Sequence, residues 1–461
     1  RTRRSCRAWD RVARPEKRSL SSAFVEGFAK AAVSLVPDAF SIAVVLTFAT
    51  LGASMLWVGA SPEVAVRAWG RGLWTLLPLS MQIAFVVFAG YLLAVSPPVA
   101  RAIDLVARWP RTPAQAVGLA AFASLLLSWL NWGVGLVASA ILVRSIAARR
   151  RDVNYPLLVA SGYLGMGVTW HAGPSGTVPL LFAGRDSFMM KDGLIAAPIP
   201  LSQTIFSASN LGLTAIAAVV LGIIAISLAR RPGGIEPPEP AASSLPATSP
   251  VSAGRTFADR LSRARFVTTS AGVLGLLYVL AEWRAGSFSL SLDMVNLVVL
   301  ALALVFHGSA ADLLAHVEEA AKPLHGIVLQ FPLYAGIYGV IKDTGLATRL
   351  AELFLSVATP DTLPNVVFAY SAFLNYWVPS GGAKWAMEAP YLLKTASALA
   401  VPPAKIAMAY AYGDMATNLI QPFWAIPLLG VARLEFKHIL GYELLFFAVY
   451  SALVAVALGF F

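Results

Sequence analysis

Apolar residues fall in blocks of roughly 18 to 30 separated by short polar segments, and a helix of about 20 residues is what crosses a hydrocarbon layer about 30 Å thick. With 58% hydrophobic and 13% charged residues, the chain has too little polar surface to enclose so much apolar surface in one water-soluble core. The predicted partner is therefore a lipid bilayer. The net charge of +11 sits in short basic segments between the blocks, the pattern of topology signals rather than of a nucleic-acid-binding face. The single cysteine, Cys6, excludes a disulfide framework and a cysteine metal site.

Nine full spans are expected, near 39–60, 73–95, 155–183, 204–229, 266–283, 290–308, 324–341, 403–431 and 438–461. Two further blocks, 114–147 and 363–400, carry Asn, Gly, Pro or Ser at their centres and read as re-entrant hairpins. Residues 1–18, with eight Lys or Arg, are expected to be a disordered cytoplasmic leader. The Pro- and Ser-rich stretch 231–262 reads as a cytoplasmic linker.

An internal repeat organises this pattern. Shifted by 248 residues, Gly165, Thr169, Pro174, Pro179, Leu180 and Leu181 fall on Gly413, Thr417, Pro422, Pro427, Leu428 and Leu429. At a shift of 244, Leu130-Asn131-Trp132 lies beside Leu374-Asn375-Tyr376. Five spans separate equivalent elements, so the second copy (263–461) is inverted relative to the first (19–230). The predicted fold is thus an all-α polytopic membrane protein of two inverted-topology repeats, each with a re-entrant hairpin and a broken transmembrane helix, whose hairpin tips meet near mid-membrane.

Candidate functional residues cluster where these elements are interrupted. Glycines and prolines at the tips free backbone groups, and helix-start amides suit a carboxylate or another anion; the same glycines also permit tight helix packing. Asn131, Gly133, Asn375, Ser380, Gly381, Gly382 and Lys384 belong to the tips. Thr169, His171, Ser175, Thr417 and Asn418 belong to the broken spans, which should unwind around Pro174 and Pro422 and expose carbonyls to a cation. Asp414, an acid inside an apolar span, suits ion coupling, with Asn131, Asn375 and Thr417 as further cation ligands; a buried pair with Lys384 or Lys405 suits it equally. Lys384 either meets a substrate carboxylate or snorkels, and His171 is either a ligand or a hydrogen-bonded structural residue. Gly173-Pro174-Ser175-Gly176 is also a short match to the nucleophile turn of an intramembrane serine hydrolase.

The runs Phe373-Leu374-Asn375-Tyr376-Trp377-Val378-Pro379-Ser380-Gly381-Gly382 and Gly413-Asp414-Met415-Ala416-Thr417-Asn418-Leu419-Ile420-Gln421-Pro422-Phe423-Trp424-Ala425, with Trp170-His171-Ala172-Gly173, resemble the bacterial short-chain fatty acid transporter family over about residues 20–461. The resemblance implies an inner-membrane carrier, not an enzyme, that takes acetoacetate, butyrate and related anions within the ion transporter superfamily. It implies symport with H+ or Na+, with no cofactor beyond a bound Na+, and a homodimer as a common assembly. A dicarboxylate or inorganic-anion carrier shares the architecture. The residues alone specify a small anion.

Overall fold

The computed structural model describes residues 38–229, 235–237 and 256–460; the leader, Cys6 and most of the expected linker lie outside them. Every regular element among the described residues is helical. The first half runs α1 (Ala39–Val58), α2 (Pro62–Gly72), α3 (Leu77–Val95), α4 (Pro97–Val106), α5 (Pro113–Leu130), α6 (Trp132–Arg149), α7 (Tyr155–Val168), α8 (Thr177–Ala183), α9 (Phe188–Lys191) and α10 (Ala208–Leu228). Then come α11 (Phe257–Arg263) and α12 (Arg265–Arg284). The second half runs α13 (Leu292–His307), α14 (Ala310–Ala321), α15 (Leu324–Asp343), α16 (Leu346–Val357), α17 (Leu363–Trp377), α18 (Gly381–Ala398), α19 (Pro403–Asn418), α20 (Ile426–Ala432) and α21 (Phe436–Leu458).

Element order repeats from α1 to α8 and from α13 to α20. Equivalent helices stop in the same way: Gly59 after α1 and Gly308 after α13 take φ of 79° and 77°, a left-handed cap that glycine adopts without a Cβ penalty. Packing is exchanged between the copies as a two-fold relation requires, with α1 against α15 and α13 against α3, and α2 against α15 and α14 against α3. Small residues bring the halves together. A Cβ on Gly72 would lie 2.5 Å from the Ala335 carbonyl oxygen, and one on Gly339 2.5 Å from that of Ala68, so the backbones touch as in other membrane helix pairs.

Among the described residues eight helices are long and apolar enough to cross a membrane, four of them α1, α10, α12 and α21. Residues such as Phe48, Leu56, Val219, Ile223 and Leu274 project outward from them, an apolar exterior suited to lipid. The chain ends of the helices fall on two faces. On one, Arg150 donates to the Arg111 carbonyl (2.7 Å), Arg144 to that of Val431 (2.8 Å) and Tyr155 to that of Ala432 (2.7 Å). On the other, Lys342 meets Asp192 (2.6 Å) and Lys394 meets Thr348 (2.7 Å).

The structure departs from expectation in four respects. The block 73–95 begins its helix only at Leu77, after a turn. The amphipathic helices α2, α4, α14 and α16, of 10 to 12 residues, were not anticipated, because they are shorter than any span and alternate polar with apolar faces. The end of the expected linker is helical: Thr256 and Asp259 form a capping box that starts α11. The hairpin tips differ in width. Asn131 alone joins α5 to α6, whereas Val378, Pro379 and Ser380 join α17 to α18, so the shift of 244 holds for the first arms and lapses beyond the tips.

Candidate functional site

At the first hairpin, α5 ends because Asn131 turns extended (φ −155°, ψ 115°), and the Asn131 side chain then accepts from the Val134 amide at 3.0 Å to start α6. The tip presses on α3: a Cβ on Gly133 would lie 2.2 Å from the Val86 carbonyl oxygen. It also meets the first broken span. There α7 stops at Val168, one tight turn follows (Trp170–Ala172), and helix resumes at Thr177. The Trp132 amide donates to the Ser175 hydroxyl (3.0 Å), and the Thr169 hydroxyl donates to the Leu125 carbonyl (2.8 Å).

The second unit is built alike. Ser380 takes the capping position, its hydroxyl accepting from the Ala383 amide at 3.4 Å, so it is Ser380, not Asn375, that does what Asn131 does. The Thr417 hydroxyl donates to the Ala372 carbonyl (3.0 Å). Asn375 spans from hairpin to break, its amide donating to the Asp414 carbonyl (2.8 Å), the Thr417 hydroxyl (3.1 Å) and the Asn418 side-chain oxygen (2.8 Å).

Between the tips lies a buried ionic cluster. Asp414 Oδ2 is 3.2 Å from His171 Nδ1, and its Oδ1 faces Lys384 Nζ at 3.4 Å. Because the Val178 amide donates to His171 Nε2 (3.1 Å), that nitrogen is an acceptor, and the ring proton sits on Nδ1 and points to Asp414. The histidine is thus neutral. Trp170 stacks on it with centroids 4.2 Å apart. Lys384 also donates to the Ser371 carbonyl and hydroxyl, both at 2.8 Å, and lies 4.4 Å from the centre of the Tyr410 ring. It is the one lysine or arginine among the described residues that is fully buried. The ion pair offsets a desolvation cost of several kcal/mol per charge, and removing either partner leaves the other unpaired. Glycine is required at 381, where a Cβ would lie 2.8 Å from His171 Cε1 and 3.0 Å from Asp414 Oδ2. Gly382 meets Ile83 of α3 and Thr177 of α8, so α3 touches both tips.

The expected site residues therefore form two groups. His171, Gly381, Lys384 and Asp414 make the ionic cluster, next to the network of Asn375, Thr417 and Asn418. Asn131, Gly133, Thr169 and Ser175 surround the first tip, and no described hydrogen bond joins Asn131 to Asp414. Tryptophans link the groups: Trp132 packs edge-on to Trp170 (5.6 Å) and to Trp424 (5.3 Å). Buried polar atoms without a hydrogen-bond partner divide the same way. At the first unit they are the donors Asn131 Nδ2, Trp132 Nε1 and Trp170 Nε1 with the Ser128 hydroxyl; at the second unit they are acceptors, Asn375 Oδ1, Asp414 Oδ1, Gln421 Oε1 and both oxygens of Glu388. Buried orphans are rare and costly, and donors left open await an acceptor.

Three carbonyls of the broken spans are used by the protein. That of Met166 accepts from Asn418 (3.3 Å), that of Asn418 from the Tyr163 hydroxyl (3.0 Å), and that of Asp414 from Asn375. Ser371, Tyr410, Glu388 and the three tryptophans were not among the expected residues. Glu388 had a sequence signal, an acid four residues after Lys384 inside an apolar hairpin.

A cavity of about 1340 Å³ opens on the face opposite the basic loops. Its lining includes Leu79, Gln82, Leu180, Arg185, Lys191 and Asp293. Leu79 and Leu180 lie about one turn from Ile83 and Thr177 on their helices, so the cavity reaches toward the second tip.

The family model for short chain fatty acid transporters matches residues 20–461. The chain belongs to the short-chain fatty acid transporter family. Relatives in Haemophilus influenzae and Escherichia coli (strain K12), each named "Putative short-chain fatty acid transporter", are 34% identical over 416 and 415 residues, covering 88% of this chain and 92% of theirs. In fold, the chain is similar to the YdaH transporter of Alcanivorax borkumensis, with a TM-score of 0.59 at 16% identity, over 92% of this chain and 99% of that one. It is also similar to MtrF of Neisseria gonorrhoeae, described with a class of antimetabolite efflux pumps, with a TM-score of 0.52 at 13% identity, over 94% and 97% of the two chains. The family member described here is thus an all-helical, multi-pass membrane transporter.

Proposed function

We propose that the chain is a secondary transporter that carries short-chain fatty acid anions of the acetoacetate or butyrate type across the bacterial inner membrane, coupled to H+ or Na+. The observation that carries this reading is the set of open donors at the first tip, Asn131, Trp132 and Trp170, beside the buried Asp414–Lys384 pair. A carboxylate gains charge-assisted hydrogen bonds from those donors. The cavity lining carries both signs of charge, Arg185 and Lys191 beside Asp186, Asp192 and Asp293.

The basic loops mark the cytoplasmic face, so the cavity opens outward. The reading is of a carrier and not an enzyme: Ser175 accepts from the Trp132 amide, and both ring nitrogens of His171 are engaged elsewhere, so His171 does not serve that serine as a base. A homodimer belongs to the same reading and is tested by crosslinking in native membranes. Purified protein in liposomes is expected to accumulate labelled butyrate when a proton or sodium gradient is imposed. No uptake under either gradient contradicts the proposal.

A further inference from the structure

We propose that Glu388 is the proton-binding carboxyl of the carrier, and that it holds a proton whenever a carboxylate substrate sits beside Lys384. This rests on the transport reading above and names the coupled ion. Glu388 lies on α18, 1% exposed, one helical turn beyond Lys384. Neither of its oxygens has a hydrogen-bond partner.

Charge balance carries the argument. The cluster contains two acids, Asp414 and Glu388, but one fixed cation. Lys384 is 3.4 Å from Asp414, and His171 is neutral because the Val178 amide occupies Nε2. The groups facing Glu388 supply no other positive charge. On its own helix they are Lys384 and Tyr391, with Lys394 exposed and donating to Thr348; on α17 Tyr370; and on α19 Tyr410 and Asp414, with Lys405 nine residues before Asp414 near the start of that helix. Of the other helices packed on α18, α16 has Arg349 paired with Glu352 in solvent, and α15 has Lys342 committed to Asp192. The titratable groups of α15 and α3 are otherwise the tyrosines 334, 338 and 91, with His325 exposed at the start of α15 against the Lys322 carbonyl and Asp343 at its end, and α8 has none. A second ionised carboxylate at this depth has no counterion, and an isolated one costs several kcal/mol.

An arriving anion sharpens the constraint. Asp414, Glu388 and substrate, all ionised around one ammonium, leave two uncompensated charges. With Glu388 protonated, one remains. The anion therefore strengthens proton binding, and by reciprocity the proton strengthens anion binding by the same factor. Sodium would find open side-chain oxygens at Asn375 and Gln421, but the carbonyls of Met166, Asp414 and Asn418 at the breaks already accept from protein donors, and Asp414 faces an ammonium.

The test uses the full chain in liposomes with labelled butyrate. Wild type is expected to accumulate butyrate under a proton gradient, and its KM is expected to rise about tenfold per pH unit on the alkaline side. Glu388→Gln is expected to retain exchange of labelled for unlabelled butyrate, to lose gradient-driven accumulation and to show a flat KM profile. Glu388→Asp is expected to restore the slope. Accumulation by Glu388→Gln with the wild-type slope overturns the proposal, as does accumulation by wild type under a sodium gradient alone. Infrared spectroscopy tests the proton directly: the carbonyl stretch of protonated acids in wild type should lose one component in Glu388→Gln and show it shifted in Glu388→Asp, the remainder belonging to Glu443, a second buried carboxyl with both oxygens open. Identical bands in wild type and Glu388→Gln overturn the proposal whether or not butyrate moves. A wild type that has the Glu388 component but takes up no butyrate contradicts the transport reading instead.

Discussion

The two hairpin-and-break units share a backbone plan and differ in chemistry. In both, a residue between the arms caps the second arm, and a threonine of the broken helix donates to a carbonyl of the first arm. Yet the first unit ends in open donors around Trp132 and Trp170, and the second holds the acids, with Lys384 between Asp414 and Glu388. Repetition supplied the scaffold, and it fails at Met166 against Asp414 and at Trp170 against Asn418; on the proposed function these are the sites that separate anion binding from cation handling. An anion and its coupling cation need opposite surroundings, which two identical units do not provide.

The comparison breaks most sharply at Asp414. Asp414→Asn leaves Lys384 buried without its counterion, at a cost of about 3–5 kcal/mol, and gradient-driven uptake should fall at least a hundredfold. Adding Lys384→Met should recover part of the stability but not the transport, so thermal unfolding of the single and double variants in detergent is expected to be non-additive. Additive effects would mean that the two side chains do not form a pair.

Gly165 and Gly413 test where the units remain equivalent. A Cβ at Gly165 would lie 2.1 Å from the Ser124 carbonyl oxygen and one at Gly413 2.2 Å from that of Phe368. Alanine at either position should cost about 1–3 kcal/mol by forcing hairpin from break. Similar losses in melting temperature sharpen the symmetry; a large loss at one site alone breaks it.

Outside both units the effects should be slight. Arg108 first, and Arg149 with it, hold the Asp104 carboxyl below its ordinary pKa on the basic face. The contribution of this exposed cluster is complete above the ordinary carboxylate value and lost only as pH falls through the lowered one. Asp104→Asn should therefore change stability by less than about 1 kcal/mol at neutral pH and leave uptake unaltered.

How far the sequence revealed this division follows from range. Hairpins and breaks were legible because Gly, Pro and Asn interrupt long apolar blocks at positions that repeat. The short helices α2, α4, α14 and α16 were hidden because each is too short to register as a span. At the second tip the register was misjudged, since Asn131 and Asn375 align in sequence while Ser380 does the capping. The ionic cluster was half visible. Asp414 and Lys384 stood out as charges in apolar segments, but the contact of His171 with Asp414 joins residues 243 positions apart and exists only through packing of one half on the other. Trp132 and Trp170 carry no charge and looked like core residues until their indole N–H groups were found without acceptors.

Equilibrium binding of labelled butyrate across pH, in wild type, Trp132→Phe and Glu388→Gln, tests the division of labour most directly. Removing the indole N–H is expected to weaken binding about tenfold, the worth of one hydrogen bond to a charged group, while the pH dependence keeps its wild-type slope; Glu388→Gln is expected to flatten that slope. Wild-type affinity in Trp132→Phe, or an altered slope in that variant with an unaltered one in Glu388→Gln, would contradict the account.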